Sequence, residues 1–355
     1  MKRLLILLAL LGLVACTGTQ GEHDPVALVV ATKSGTTAQL QLIETQSLSM
    51  GGVGLVLHDD FTHTYGPGEN IVQLLSPDTQ RRELWVLYTN SLGDMFIDIF
   101  TMSEVSLAQP APLQPVRKIP LGAGTPAGFD VHGNEIAVMA NDDLLVYDAV
   151  TEELIATLVT IAPFQLAPVY VGSRLHYWSE NPGGDVELVA ATGSQGYIAF
   201  GPKVATPPVV ARDVFEPDRI MHLGASGEVT IFDRAFGEDP VRVKLDDLQG
   251  PQAAYLYGGR LLSVGNTLQQ VSITSSGDEL IGKLVGSDSL NGAIVVPDPY
   301  NQYAYALRAG SGTMITTLVD PQSEPDDEHA IRRNIQLPGL DTPMVGEAFI
   351  VQGAP

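Results

Sequence analysis

Two histidines and two carboxylates lie within six residues of one another near the start of the chain. They are His58, Asp59, Asp60 and His63. Imidazole nitrogens and carboxylate oxygens are ligands that zinc and similar divalent cations accept. A His-x4-His spacing in a loop fixes no geometry, however, and the sequence offers no further ligand pair nearby. We therefore expect a solvated loop that contacts a partner, and these four residues remain only weak candidates for a metal site.

The other polar motifs do not match known metal-binding or catalytic patterns. Asp320 and the acidic run at 324–329 have a proline where a calcium loop requires a glycine, so we expect a hydrated loop there. The chain contains no Gly-x-Ser-x-Gly nucleophile elbow, no His-Glu-x-x-His motif and no phosphate-binding Gly-x-x-x-x-Gly-Lys-Ser/Thr motif. We therefore predict no catalytic residues and no cofactor.

The only cysteine, Cys16, follows a segment with the layout of a secretory signal. Lys2 and Arg3 give a positively charged start, and residues 4–14 form an apolar run. Such a run is shorter than the roughly 20 residues that a helix needs to cross a bilayer. A charged start, an apolar middle and small residues at the end indicate a secretory signal peptide.

The stretch Leu13-Val14-Ala15-Cys16 resembles the lipobox of bacterial lipoproteins. In that family the cysteine sulfur receives a diacylglyceryl group, the preceding peptide is removed, and the new N-terminus is usually acylated. The resemblance implies a signal peptide over 1–15, lipidation of Cys16 with fatty acids such as palmitate, and a tether over 16–25. Two or more acyl chains give stable membrane anchoring. Thr17 in place of Asp after the cysteine favours the outer membrane of the cell envelope.

The mature chain is expected to be strongly acidic. The full sequence has 19 basic and 41 acidic residues, and removal of Lys2 and Arg3 takes the net charge from −22 to −24. That charge repels nucleic acid and anionic lipid headgroups and favours cationic partners. Once Cys16 is lipidated, no thiol remains for a disulfide or a nucleophile, so a core of this size must stabilise the fold alone.

The chain from Val26 onward is predicted to be a repeat of short strands. Residues 135–158 fit a strand, an Asn141-Asp142 turn and two further strands, and residues 219–245 repeat the pattern. The same hairpin occurs seven times at spacings between 39 and 57 residues. Its second strand opens at Thr37, Asp94, Asp143, Asp185, Glu228, Thr267 and Thr313. A period near 40–50 residues with four strands per unit is typical of β-propellers.

This pattern resembles the broad WD40-like and YVTN-type group of β-propellers. The resemblance implies an all-β propeller over 26–355, and the seven hairpins predict seven blades, with six or eight blades and one or two β-sandwiches as alternatives. The first unit begins at its second strand, Val26–Thr32. We therefore predict that the last strand, Pro343–Gln352, supplies the missing inner strand of blade 1 and closes the ring. Four aromatic residues on second strands are expected to pack between blades: Trp85, Tyr88, Tyr177 and Trp178.

These observations favour a lipid-anchored envelope protein whose propeller is a non-catalytic module for binding or scaffolding an envelope protein. Propeller loops vary freely on a rigid ring, which suits recognition. An envelope enzyme is the alternative: a lactonase or hydrolase with a metal in the channel, or a quinone-dependent dehydrogenase. It requires acidic and histidine side chains that converge at the ring centre. A small-ligand receptor would need a closed apolar pocket.

Overall fold

The structure is a computed structural model of the chain. It describes residues 26–48, 52–77, 82–109, 111–158, 160, 162–191, 197–199, 209–212, 219–223, 228–233, 241–244, 253–257, 260–264, 267–276, 279–289, 294–298, 303–310, 313–319 and 331–350. The predicted signal peptide and tether, Cys16 and the acidic run at 320–329 lie outside these ranges. Within the described residues, no helix has the length and hydropathy of a membrane span.

The described strands form seven four-stranded antiparallel sheets, which are the blades. Blade 1 contains, from the inner strand outward, β28 (Thr342–Ile350), β1 (Val26–Ser34), β2 (Thr37–Leu48) and β3 (Gly52–Thr64). Blade 2 contains β4 (Asn70–Leu75), β5 (Glu83–Thr89), β6 (Asp94–Thr101) and β7 (Arg117–Ala123). Blade 3 contains β8 (Pro126–His132), β9 (Glu135–Ala140), β10 (Asp143–Asp148) and β11 (Leu154–Leu158). Blade 4 contains β12 (Val169–Val171), β13 (Arg174–Glu180), β14 (Val186–Ala191) and β15 (Tyr197–Ala199).

The remaining blades follow the same order. Blade 5 contains β16 (Val209–Arg212), β17 (Arg219–Leu223), β18 (Glu228–Asp233) and β19 (Val241–Lys244). Blade 6 contains β20 (Ala253–Tyr257), β21 (Arg260–Val264), β22 (Thr267–Ser276) and β23 (Glu279–Ser289). Blade 7 contains β24 (Ile294–Asp298), β25 (Tyr303–Gly310), β26 (Thr313–Val319) and β27 (Ile331–Pro338). The seven described sheets fit the predicted number of blades, and the all-β fold is confirmed.

The repeated hairpin has a local cause in its turn residues. Six of the seven predicted opening residues begin the third strand of their blade, and Asp185 precedes β14 by one residue. In blade 2, the side-chain oxygen of Asn90 accepts hydrogen bonds from the backbone N–H groups of Leu92 and Asp94, both at 2.9 Å. In blade 4, Asn181 accepts from Gly183 and Asp185 in the same way. Asparagine favours such turns because its side chain replaces a backbone acceptor.

The ring closes as predicted. Strand β28 pairs antiparallel with β1, from Val26 opposite Ile350 to Lys33 opposite Thr342. Phe349 packs with the apolar residues between blades 1 and 2, whereas Ala348 packs with those between blades 7 and 1. The last strand of the chain therefore contributes to the core on both sides of blade 1.

The core consists of apolar layers between neighbouring blades. The predicted interblade aromatics are confirmed: Trp85, Tyr88, Tyr177 and Trp178 are all buried. Burying a large apolar side chain of this kind contributes roughly 2–3 kcal/mol. His176, on the second strand of blade 4, is buried beside them, and burial lowers its pKa to about 4.

The predicted loop at residues 58–65 is wrong over most of its length, because β3 extends to Thr64. In this run Phe61 and Tyr65 are buried, His63 is half-buried, and the residues between them are more exposed. Alternation of this kind is the pattern of a strand with one face on the core. The polar residues sit where the pairing of β2 and β3 shifts register, between Leu40 and Leu42.

Candidate interaction surface

The structure separates the four weak metal candidates into different environments. The Nε2 atom of His58 lies 2.8 Å from Oε2 of Glu44. The Nδ1–H group of His63 donates to the carbonyl oxygen of Leu113 at 3.0 Å, and burial lowers the pKa of this imidazole. Asp59 and Asp60 are exposed. Within the part of the chain that the structure describes, no three His, Cys, Asp or Glu side chains are grouped so as to hold a metal ion.

Polar side chains on the inner strands join neighbouring blades. The amide of Gln73 on β4 accepts a hydrogen bond from the backbone N–H of Phe129 at 2.9 Å and donates to its carbonyl at 3.1 Å. On β8, Asp130 accepts from the backbone N–H of Tyr170 in the next blade at 2.6 Å. These side chains replace the backbone hydrogen bonds that inner strands of separate sheets do not make with each other. Among the described residues, Gln73 and Asp130 each link two neighbouring blades, and we call such a link an interblade clamp.

A buried carboxyl, Asp98, lies on the face of blade 2 that packs against blade 1. Tyr88 donates a hydrogen bond to it, and Lys118 lies opposite it on β7. Burial is the main cause that raises the pKa of Asp98 to about 6, and the nearby ammonium of Lys118 opposes the rise. That ammonium packs over the Phe96 ring at 4.3 Å from its centroid.

Aromatic rings enclose this carboxyl. Tyr65 contacts both Tyr88 and His63, with ring centroids 4.7 and 4.9 Å apart. Among the described atoms, Oδ1 of Asp98 and the Tyr65 hydroxyl are buried without a hydrogen-bond partner. A low-dielectric site of this kind penalises the charged carboxylate. The cluster is a pH-sensitive part of the interblade core, and its ionisable group faces away from solvent.

An apolar surface patch lies at the outer edge of blades 2 and 3. We define the rim patch as Val116, Val150, Leu154 and Ile155, whose exposed fractions are 56%, 65%, 50% and 53%. The other large apolar side chains that the structure shows as exposed, Val56, Leu92 and Leu166, lie on blade 1, in the β5–β6 turn and before β12. The rim patch is therefore a local concentration of exposed apolar groups.

One ion pair joins the two blades next to the rim patch. Nη2 of Arg117, at the start of β7, lies 3.1 Å from Oε1 of Glu152 in the β10–β11 connection. The same guanidinium donates to the carbonyl oxygen of Ala149. Val116 adjoins this arginine and Val150 adjoins that alanine, so the contact brings together segments of separate blades. It fixes Val116 near the segment that carries the rest of the patch.

Strand β11 has an unusual burial pattern for a propeller strand. Its five residues include none that is buried, and Leu154 and Ile155 are exposed at consecutive positions. The pairing with β10 shifts register here, since Val146 is opposite Ala156 and Tyr147 is opposite Leu154. Ile155 is the extra residue of a β-bulge, which explains why two successive side chains both face solvent.

Sequence reasoning missed both the rim patch and Asp98, although each left a signal. The Leu154-Ile155 doublet breaks the alternation expected of a half-buried strand. Asp98 is the second carboxylate of strand β6, four residues after Asp94 at its start and flanked by apolar residues on both sides. A lone charge in such a run is seldom fully buried unless it has a partner, and here the partner is Tyr88.

No protein-family model and no curated protein sequence matches this chain. Solved structures do match. The chain is similar to a Bacteroides fragilis protein with a provisional 6-phosphogluconolactonase name, at 13% identity and a TM-score of 0.58, covering 93% of this chain and 99% of that one. It is similar to a Desulfotomaculum acetoxidans protein of unknown function, at 9% identity and a TM-score of 0.58, covering 88% and 99%.

The β-propeller domain of Cps50 (Swd1) from Myceliophteria thermophila also matches. Identity is 12% and the TM-score 0.53, and the match covers 81% of this chain and 93% of that domain. At such identities a structural likeness reports shared architecture. The comparisons and the seven described sheets together show that the chain folds as a β-propeller.

Proposed function

We propose that this chain is a lipid-anchored protein of the bacterial envelope whose propeller binds another envelope protein and catalyses no reaction. The observation that carries the proposal is the rim patch, where four apolar side chains are each at least half exposed. Clustered exposed apolar groups on a soluble domain mark protein interaction sites. The ion pair between Arg117 and Glu152 links the two contributing blades next to the patch.

The proposed anchor is Cys16, and its support comes from the lipobox resemblance. A lipid there would hold the propeller at a membrane surface, with the outer membrane as the favoured destination. The net charge of −22 for the full sequence favours a partner with a cationic surface. A lipid anchor and the acidic charge would together restrict the possible partners to envelope proteins near that membrane.

The enzyme alternative would need reactive side chains at the ring centre. On the described inner strands, Gln73 and Asp130 bond to backbone groups of the next blade, which is a structural role, whereas Glu347 on β28 is a carboxyl whose pKa burial raises to about 8. The provisional lactonase name belongs to a protein that is 13% identical to this chain. The structural role of Gln73 and Asp130 favours a binding function for the propeller, and a match at this identity reports shared architecture alone.

Photo-crosslinking in intact envelopes tests the proposed function. A photoreactive residue replaces Val150 in the full-length chain, and the same residue at Leu92, in the β5–β6 turn, is the control. We expect one recurring protein partner at position 150, identified by mass spectrometry of the crosslinked peptide, and none at position 92. Crosslinks that are absent at position 150 or equal at both positions would contradict the proposed surface.

The anchor is tested separately. Cells fed labelled palmitate should label the wild-type chain, and Cys16→Ser should abolish the label and release the protein from the membrane fraction. A Cys16→Ser chain that keeps its label would contradict lipidation at this residue. The two experiments are independent, because the rim patch and Cys16 are altered one at a time.

A further inference from the structure

The outer strand of each propeller blade is an edge strand. It pairs with one neighbour, so about half of its backbone N–H and C=O groups face away from the sheet. Such an edge is a template for another strand, and natural proteins block it with charged side chains, prolines, bulges or very short strands. The seven outer strands differ in which of these protections their sequences and pairing provide.

Six outer strands carry an evident protection. The short strand β15 has three residues. The other five contain charged residues, and two of these strands also contain proline: Asp59 and Asp60 in β3, Lys118 and Pro120 in β7, Arg242 and Lys244 in β19, Lys283 in β23, and Arg332, Arg333 and Pro338 in β27. These residues oppose pairing with another chain.

Of these protections, strand β11 has only the bulge at Ile155. Its sequence, Leu-Ile-Ala-Thr-Leu, contains neither a charged residue nor a proline. In the described sheet it pairs with β10 alone. Its bulge directs Ile155 outward and adds an apolar contact at this edge. The least protected of the longer outer strands therefore coincides with the rim patch.

Charge determines which occupant suits this edge. Glu152 and Glu153 directly precede β11, and Glu153 is exposed. A second copy of the chain would bring the same acidic residues and another net charge of −22 to the interface. Like charges oppose that pairing, whereas basic residues on a partner would complement Glu153, since Glu152 already pairs with Arg117. The edge fits an extended segment that combines apolar and basic side chains.

We propose that β11 binds such a segment of the partner protein by β-strand addition. The partner strand would pair with the free edge of β11, its apolar side chains would contact Leu154 and Ile155, and its basic side chains would face Glu153. Main-chain hydrogen bonds supply the affinity in this mode and alternate side chains supply the specificity. This inference rests on the proposed function, because it specifies how the rim patch recognises its partner.

A peptide of alternating valine and lysine is the probe. Fluorescence anisotropy measures its binding to the full-length protein in detergent. Ile155→Lys should weaken binding about tenfold or more, because it places a cation on the edge that receives a basic strand. Leu92→Lys, which introduces the same cation at an exposed apolar residue elsewhere, should leave the affinity unchanged. A peptide of alternating valine and glutamate should bind more weakly to the wild type and better to Ile155→Lys.

N-methylation of the peptide separates strand addition from simple apolar contact. Methyl groups on alternate backbone nitrogens block one edge of the peptide. Methylation of one edge should abolish binding, and methylation of the other edge should preserve it, because strand addition uses a single edge. Equal binding of the two methylated peptides, or equal affinity of the wild type and Ile155→Lys, would overturn the proposal.

The outcomes also separate this inference from the proposed function. Crosslinking at position 150 without peptide binding would support the proposed function and overturn strand addition. Peptide binding without any crosslinked partner in envelopes would contradict the proposed function but would support strand addition at β11. Analytical ultracentrifugation addresses self-pairing: a dimer that Ile155→Lys dissociates would replace the partner segment with a second copy and overturn the inference.

Discussion

At the scale of single residues, Asp98 shows how a propeller places an ionisable group in its core. The carboxyl accepts a hydrogen bond from Tyr88, lies opposite Lys118 and is otherwise buried. Its pKa of about 6 means that the native state holds a proton that the unfolded chain releases near pH 3.8. The stability of the interface between these blades is therefore linked to pH.

Asp98→Asn should remove this linkage. Since the native pKa is the higher one, the free energy of unfolding falls as pH rises from about 4 to 6, and the full penalty is present above pH 6. A shift of this size corresponds to roughly 2–3 kcal/mol. We expect the variant to be more stable than the wild type by about that amount at pH 8 and similar to it at pH 4, measured by urea unfolding.

The matched control for this prediction is Asp60→Asn, at an exposed position on β3. It should follow the wild-type pH dependence between pH 4 and 8. An Asp98→Asn variant that is equally destabilised at both pH values would show that the carboxyl supports the interface in its charged form. That result would contradict the assignment of burial as the dominant effect.

Metal removal is a second test at the residue scale. His58 contacts Glu44, and His63 donates to the Leu113 carbonyl, so each imidazole is already engaged within the protein. We therefore expect a chelator to leave the melting temperature unchanged to within about 1 °C, and added zinc to leave it unchanged as well. A chelator-dependent decrease that His58→Ala and His63→Ala both abolish would contradict this expectation.

At the scale of the strands and turns, the predictable features were those with local causes. The hairpin turns were found because glycine, asparagine and aspartate mark tight turns independently of the rest of the fold. The closing strand is predictable for a different reason: blade 1 lacks an inner strand at the start of the chain, so the last strand must supply it. The end of β3 was mispredicted because the polar residues there outnumber Phe61 and Tyr65, although these two are buried.

The candidate surface could be predicted to a lesser extent. Exposure of Leu154 and Ile155 depends on which side of β11 faces another blade and on a bulge in its pairing with β10. The Leu154-Ile155 doublet breaks the expected alternation, but the strand's own five residues determine neither property. The same holds for the clamp from Gln73 to Phe129, since its partner lies 56 residues away and in another blade. Contacts between blades can be identified only when the arrangement of the blades in the ring is known.

The clamp between blades 2 and 3 depends on a glycine that allows close approach. A Cβ atom at Gly128 would lie 2.6 Å from Ala167 Cβ and 2.8 Å from Gln73 Oε1. Gly128→Ala should therefore displace the Gln73 amide from Phe129 and lower the free energy of unfolding by about 3 kcal/mol, as overpacking does. Thermal and chemical unfolding would measure the loss.

Gly133→Ala is the matched control for this substitution. Gly133 has a positive φ of 59°, but no atom lies within 4 Å of a Cβ placed there. It should cost about 1 kcal/mol, the strain of the left-handed backbone alone. If the two variants lost equal stability, close approach of the inner strands would not be the reason that glycine occupies position 128.

At the scale of the whole molecule, stability depends on ring closure by β28. Removal of residues 342–355 would leave the edge of β1 unpaired and uncover the apolar layers on both sides of blade 1. We expect this truncated chain to aggregate, because an uncovered apolar edge strand pairs with other chains. Truncation after Ile350 keeps β28 intact and should give a soluble protein with a cooperative melting transition, measured by calorimetry and size-exclusion chromatography. Soluble, cooperatively folded protein from the shorter chain would contradict the role of closure.

The pairing of β1 with strands on both sides has a mechanical consequence. Val26 begins a strand that is in register with β2 along nine residue pairs and with β28 along eight. A pull directed along β1 from its N-terminal end loads these hydrogen bonds in shear. Bonds loaded in this way must break together, whereas a strand peeled from a sheet edge loses them one at a time. The ring is therefore built to carry tension at its N-terminal end, where a tether to a moving surface would apply it.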